Sequence, residues 1–553
     1  MSLQTMRPLL ALTFCFAALV AAAQNNNSPL PSASSNYRIS GIVVSKIDGH
    51  PLDRARVLLS DTKSRRETES VVTSADGKFS FANLSAGKYA LEGTKRGFIS
   101  AAYDQHDQYS TAIVTGADLV TENLVLKLSP EAVISGRVLD EAGEPVRRGL
   151  LTLYRNNHIQ GIDEIQAFRQ AQTDDLGAYE LTSLLPGTYF LSVRAEPWYA
   201  FHPAPASNEA GAEGNKARAD VDRSLDVAYP LTYYENATET DSATPIQIRG
   251  GERLQIDMDL NPVPALRLIF HMPQEPNQGT LFPQLHQKAF EGTSFVQGNP
   301  QFISPGVVEL TGIPAGRYDV RVQGSNTLTQ LNGVDLNEDG EEIDTSRAEA
   351  LGSVKISVTA PGETMLPKDL AVVLAATPRN GSGGYRTLSA KGEAEIQQIA
   401  AGIYRVGVFS PRAAYVVVGI SAEGAQVRGR TIVVPAGASA TIALTIAQGV
   451  EVPGVAQKAG KPFAEAMVVL VPNDPEANRD LFRRDQSDLD GTFVLRNVVP
   501  GSYALVAIED GWDLDWSRPE VIAPYVKRGR SVKVPLDPAR PTQMREPVEV
   551  QAK

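Results

Sequence analysis

The chain has 553 residues, with 52 Lys and Arg against 64 Asp and Glu for a formal charge of −12. That length exceeds what one hydrophobic core serves, so several domains of ordinary size are expected. The acidic balance argues against nucleic acid and against attraction to an anionic bilayer, and a single cysteine excludes an intrachain disulfide.

Residues 1–23 read as a secretory signal peptide. Arg7 precedes an apolar run from Leu9 to Val20, and Ala21, Ala22 and Ala23 supply small residues for cleavage before Gln24. Cleavage removes Arg7 and Cys15, which takes the charge from −12 to −13 and leaves no thiol to ligate a metal. An exported protein follows, periplasmic, on the cell surface or extracellular, with no later segment apolar enough for a transmembrane helix. Residues 24–35, QNNNSPLPSASS, form a polar linker.

From residue 36 the sequence repeats itself. The phrase DGKFSFANLSAGKYAL at 76–91 returns as LGAYELTSLLPGTYFL at 176–191, PGVVELTGIPAGRYDV at 305–320, KGEAEIQQIAAGIYRV at 391–406 and DGTFVLRNVVPGSYAL at 490–505. Each copy holds two glycines ten apart: Gly77 and Gly87, Gly177 and Gly187, Gly306 and Gly316, Gly392 and Gly402, Gly491 and Gly501. Two residues on stands Tyr89, Tyr189, Tyr318, Tyr404 or Tyr503. Apolar residues such as Phe79, Phe81 and Leu84 alternate around the corner, which predicts a hairpin of two strands, each with one buried face. The first glycine suits a left-handed turn position and the second a sharp reversal; the tyrosine is expected to bury its ring and bond nearby backbone.

An opening phrase precedes three copies, with a glycine in its first strand (Gly41, Gly136, Gly454) and a Gly-x-Pro turn after it. About seven strands per unit result, the content of a small sandwich. The units span 36–129, 130–262, 263–358, 359–446 and 447–548. The third and fourth lack the opening phrase and read as diverged copies. The second carries an insertion at 198–243 whose Ala/Gly/Asn-rich centre is expected to be mobile; long loops on rigid scaffolds tend to carry function. The expected fold is all-β: a monomeric tandem array of about five antiparallel Greek-key β-sandwiches.

The words SGRVLDEAGEPV, QTDDLGAYEL and LLPGTYFLSV resemble the carboxypeptidase regulatory-like repeat. That resemblance implies a transthyretin-like (prealbumin-like) sandwich, related to starch-binding-like folds and found in tandem in large exported bacterial proteins.

Hydrolase chemistry needs specific neighbours, and the six histidines are dispersed, with no HExxH, G-x-S-x-G or P-loop string. No enzymatic role and no cofactor are therefore expected. Asp335, Asn337 and Asp339 have the spacing of a calcium loop, but Ser346 stands where a bidentate Glu should close it, so a solvated acidic turn is the reading. The remaining candidates are aromatic: Trp198, Tyr199, Tyr233 and Tyr234 at the ends of the insertion, and Trp512 and Trp516 after the last repeat. Exposed, they would stack on sugars; otherwise they pack their loops against a sandwich. The expected partner is a carbohydrate or a surface protein.

Overall fold

The computed structural model describes residues 36–64, 67–116, 119–202, 222–273, 281–324, 327–347, 349–362, 365–377, 383–536 and 546–553. The signal peptide, the linker and the centre of the insertion lie outside these. Five hydrophobic clusters follow one another along the chain, and each holds one repeat tyrosine: Tyr89, Tyr189, Tyr318, Tyr404 and Tyr503.

The first sandwich sets the pattern. Its strands are β1 (Tyr37–Ser45), β2 (Arg56–Asp61), β3 (Glu67–Val72), β4 (Lys78–Leu84), β5 (Gly87–Thr94), β6 (Phe98–Ile99), β7 (Ala101–Ala102), β8 (Ile113–Thr115) and β9 (Leu124–Pro130). One sheet runs β4-β1-β9-β6; the other runs β3-β2-β5, with β7 and β8 both on β5. Ile39, Val43, Leu59, Phe81, Leu91 and Leu126 fill the space between them.

The predicted hairpin is corrected here. β4 pairs with β1, Phe81 opposite Ile39, whereas β5 pairs with β2, Leu91 opposite Leu59. The glycine-to-tyrosine motif is therefore a corner from one sheet to the facing one, and the next three copies do the same. In the fifth the two strands again pair with different partners, but Val548–Gln551 bridges the halves into one sheet of eight strands. Period-two alternation shows that both strands bury a face but not whether they share a sheet. The tyrosine fixes the corner: each hydroxyl donates to the carbonyl four residues back, on Ser85, Leu185, Pro314, Ala400 and Val499, at 2.6 to 3.0 Å.

The glycines serve different purposes. Gly77 sits at φ +74° in the turn before β4, as its position suggests. Gly316 is not left-handed, and a Cβ there would lie 3.4 Å from the Tyr318 hydroxyl, at ordinary contact with the ring. Between Phe81 and Leu84 the apolar spacing jumps from two to three because the strand bulges. Asn83 takes φ +56°, and Ser183, Gly312, Gln398 and Asn497 are left-handed at the equivalent place.

Tyr318→Phe removes only the hydroxyl and leaves the Pro314 carbonyl without its donor. The expected loss is about 1 kcal/mol, read as a lower urea midpoint with unchanged slope.

The sheets are mainly antiparallel, as expected, with one kind of exception. In each sandwich the opening strand has a parallel neighbour: β1 with β9, Ala132–Leu139 with Arg253–Gln255, Val263–His271 with Glu341–Asp344, Gly352–Thr359 with Ser439–Gln448, and Val450–Lys458 with Val548–Gln551. The close approach explains the glycine of the opening phrase in the first two sandwiches, whereas at Gly454 it is the Phe493 ring that leaves no room for a Cβ. A Cβ on Gly41 would lie 2.1 Å from the Leu124 carbonyl oxygen.

Neighbouring sandwiches are joined by more than linkers. Val227–Ala228, at the end of the insertion, pairs with Val263–His271 of the next sandwich. Arg430 of the fourth meets Asp480 of the fifth at 2.6 Å. The last sandwich then returns to the first two, so the chain closes on itself where the sequence reads as beads on a string.

Candidate functional site

The closing contact is built from one strand, Arg483–Gln486, and the turn that follows it. On the first sandwich they meet Lys88 and the segment 104–112. Lys88 Nζ donates to Asp488 Oδ2 at 2.5 Å, and the Ala112 N–H donates to Asp488 Oδ1 at 3.0 Å. The Leu489 N–H returns a bond to the Ala112 carbonyl at 3.1 Å, and its side chain packs against the first core. Gln486 Nε2 donates to the Asp104 carbonyl at 2.6 Å and to Thr111 Oγ1 at 2.8 Å.

Arg484 is the centre of the contact, its side chain only 2 % exposed. It donates to Asp107 Oδ2 at 3.1 Å and to the Ile159 carbonyl of the second sandwich at 3.4 Å. Its guanidinium lies 4.5 Å from the Trp516 ring centre, 5.3 Å from Tyr109 and 5.7 Å from Trp512. A buried cation needs both a counter-charge and its donors engaged, and Asp107, a carbonyl and three rings supply them.

The predicted site residues now separate. Trp512 stacks on His106 of the first sandwich, ring centres 4.8 Å apart and 5° from parallel. Trp516 is 6 % exposed and lies on Gly161 of the second, where a Cβ would come within 2.4 Å of the indole. Tyr233 is 1 % exposed, in a cluster with Tyr154 and with Phe290 of the following sandwich. Tyr234 packs half-buried against the second core. Of the two alternatives, these four rings take the packing one: each covers apolar surface within or between sandwiches. Trp198 differs, at 78 % exposure and edge-on to Tyr199 at 5.8 Å. Tyr199 and Tyr229 both donate to Glu141, fastening the start and end of the insertion to the second sandwich.

The acidic string 335–340 turns between the strands Thr327–Leu336 and Glu341–Asp344. Asp339 Oδ1 accepts from the Arg267 N–H at 3.0 Å and Asp335 faces Arg317 at 3.8 Å, so these carboxylates serve separate arginines rather than one centre.

Where the three sandwiches meet, a cavity of about 700 Å³ opens, lined by Lys46, Lys127, Asp104, Arg155, His158 and Glu465 among others. Beneath the contact, burial pushes the Asp485 carboxyl up to about 6, although it accepts the Val494 N–H at 2.7 Å. Between its ordinary range near 3.8 and about 6, the folded chain keeps a proton that the unfolded chain releases. Stability therefore falls as pH rises through that window and levels off above it. Asp485→Asn is expected to flatten this part of the profile of thermal midpoint against pH.

Arg484, His106, His158, Asp488 and Leu489 were not legible as interface residues. The words RRDQSDLD are polar at nearly every position, so they read as a solvated edge, and only the returning chain covers them.

A model of the carboxypeptidase regulatory-like domain matches residues 38–124, the first sandwich. No curated protein matches the chain. Among solved structures it is similar to the TIE protein of Bacillus anthracis, at 12 % identity over 75 % of this chain and 74 % of that one, TM-score 0.17. The minor pilin of Streptococcus agalactiae follows at 13 % identity over 44 % of this chain and all (100 %) of its own, TM-score 0.20. The shaft pilin SpaA of Lactobacillus rhamnosus GG is 8 % identical over 41 % of this chain and 98 % of its own, TM-score 0.19. At such scores these likenesses carry no inference about function. Among the described residues no helix is long and apolar enough to cross a membrane.

Proposed function

We propose that this is a non-catalytic exported scaffold of five carboxypeptidase regulatory-like sandwiches, a closed frame that presents its loops to a surface partner. The observation that supports this reading is the seating of the last sandwich on the first two through Arg484, Asp488 and Leu489. A frame fixed at both ends restricts inter-domain motion, which a string of independent domains does not. Fractionation of the native host tests it: the chain is expected outside the cytoplasm with Gln24 as its first residue. Recovery in the cytosol with residues 1–23 retained would sink the reading.

Carbohydrate binding is the second reading, and the exposure of Trp198 beside Tyr199 favours it. A glycan array decides: signals lost on Trp198→Ala support it, and a blank array removes it. Trp198→Ala is expected to leave the thermal midpoint unchanged, because an exposed ring contributes little to folding.

A further inference from the structure

His158 lies just past the strand Leu150–Asn157, in a turn that Gly161 closes at φ +72° with its N–H donating to the His158 carbonyl. The turn brings Asp163 back beside it, His158 Nδ1 to Asp163 Oδ1 at 2.6 Å. From the last sandwich comes Asp515, its Oδ1 3.8 Å from the same nitrogen, on a loop held in place by Trp516 over Gly161. The three ligand atoms lie within 4.8 Å of one another.

A separate contact fixes the imidazole. His158 Nε2 is 2.6 Å from the Leu514 carbonyl oxygen, which has no proton to give, so Nε2 carries the hydrogen and donates it. Nδ1 is then the lone-pair nitrogen of the neutral ring, and it faces two carboxylates. A lone pair against carboxylate oxygens is repulsive unless a cation lies between them. A backbone carbonyl taking one ring N–H, with the other nitrogen left for a ligand, is the usual outer support of a metal-binding histidine.

We propose that His158, Asp163 and Asp515 bind one divalent transition ion, Zn2+ by preference, which clasps the second sandwich to the last. One imidazole with two carboxylates suits zinc, whereas calcium and magnesium favour all-oxygen shells. Two ligands on a tetrahedral zinc lie about 3.4 Å apart, so the His158–Asp163 pair at 2.6 Å opens and the His158–Asp515 pair at 3.8 Å closes, each by less than about 1 Å, while the two carboxylates, within 4.8 Å of each other, draw in to the same spacing. Asn156 hydrogen-bonds Asp163 and Arg518 holds Asp515 Oδ2 at 2.9 Å, which orients both carboxylates. The rival cation is a proton on Nδ1, with Arg518 completing the charge balance.

The untagged full chain, dialysed against Zn2+ at neutral pH and assayed for metal by mass spectrometry, tests the proposal. One equivalent is expected, together with a raised thermal midpoint and slowed amide exchange at 158–163; Ca2+ should do neither. Because His158→Ala also loses the bond to Leu514, Asp515→Asn and Asp163→Asn are the deciding variants, each expected to weaken binding about tenfold or more. Wild-type chain that takes up no zinc, or variants that keep it, would overturn the site in favour of a protonated histidine.

Discussion

Arg484→Ala is expected to release the last sandwich from the first two. The substitution leaves the Asp107 carboxylate and the Ile159 carbonyl without their donor and removes the cation from beside Trp512, Trp516 and Tyr109. Breaking a buried ion pair by deleting one partner costs roughly 3–5 kcal/mol. Asp107 is 29 % exposed and regains some water, which places the cost toward the lower figure. The loss falls largely on docking, because the oxygens Arg484 donates to, on Asp107 and Ile159, belong to the first and second sandwiches. Circular dichroism should therefore be unchanged while the radius of gyration by X-ray scattering increases and amide exchange quickens across 104–112. A variant as compact as wild type would show that the contact is incidental to the frame.

The second large effect is Gly136→Ala. A Cβ at this position would stand 1.8 Å from the Ile256 carbonyl oxygen and 2.5 Å from its carbon. Both atoms are backbone, so no rotamer change relieves the overlap, and the parallel neighbour Arg253–Gln255 must separate from Ala132–Leu139. A cost of about 3 kcal/mol is expected, the upper part of the range for overpacking. Gly407→Ala is the control, since it also lies within a strand but a Cβ there meets nothing within 4 Å. It should be neutral or slightly stabilising, from the smaller entropy of the unfolded chain. Equal thermal midpoints for the two variants would show that the parallel strand yields more easily than its spacing implies.

Much of the architecture was legible because local patterns have local causes. The two-residue alternation at Phe79 and Phe81 marks a half-buried strand wherever it occurs, whereas the bulge at Asn83 behind the jump to Leu84 emerged only from the structure. The tyrosine was legible too, since a buried hydroxyl needs an acceptor and a corner offers a carbonyl four residues back. The pairing of strands was not. Nothing in Gly41 names Leu124 as its neighbour, and a strand that buries one face does so equally well in a hairpin or across a core.

The aromatic residues show the same limit. Trp198 and Trp516 stand beside Tyr199 and Asp515 in similar loops, yet one is open to water and the other lies against Gly161. Exposure depends on what arrives from elsewhere in the chain.

The sequence by itself determined the repeated strands, their buried faces and the corner at each tyrosine, because those depend on residues within about a dozen positions of one another. Which sheet each strand joined, and where the last sandwich came to rest, only the tertiary structure decided. Those contacts join residues such as Arg484 and Asp107, nearly four hundred positions apart (|i−j| = 377), whose polar neighbourhoods look solvated until the two surfaces meet.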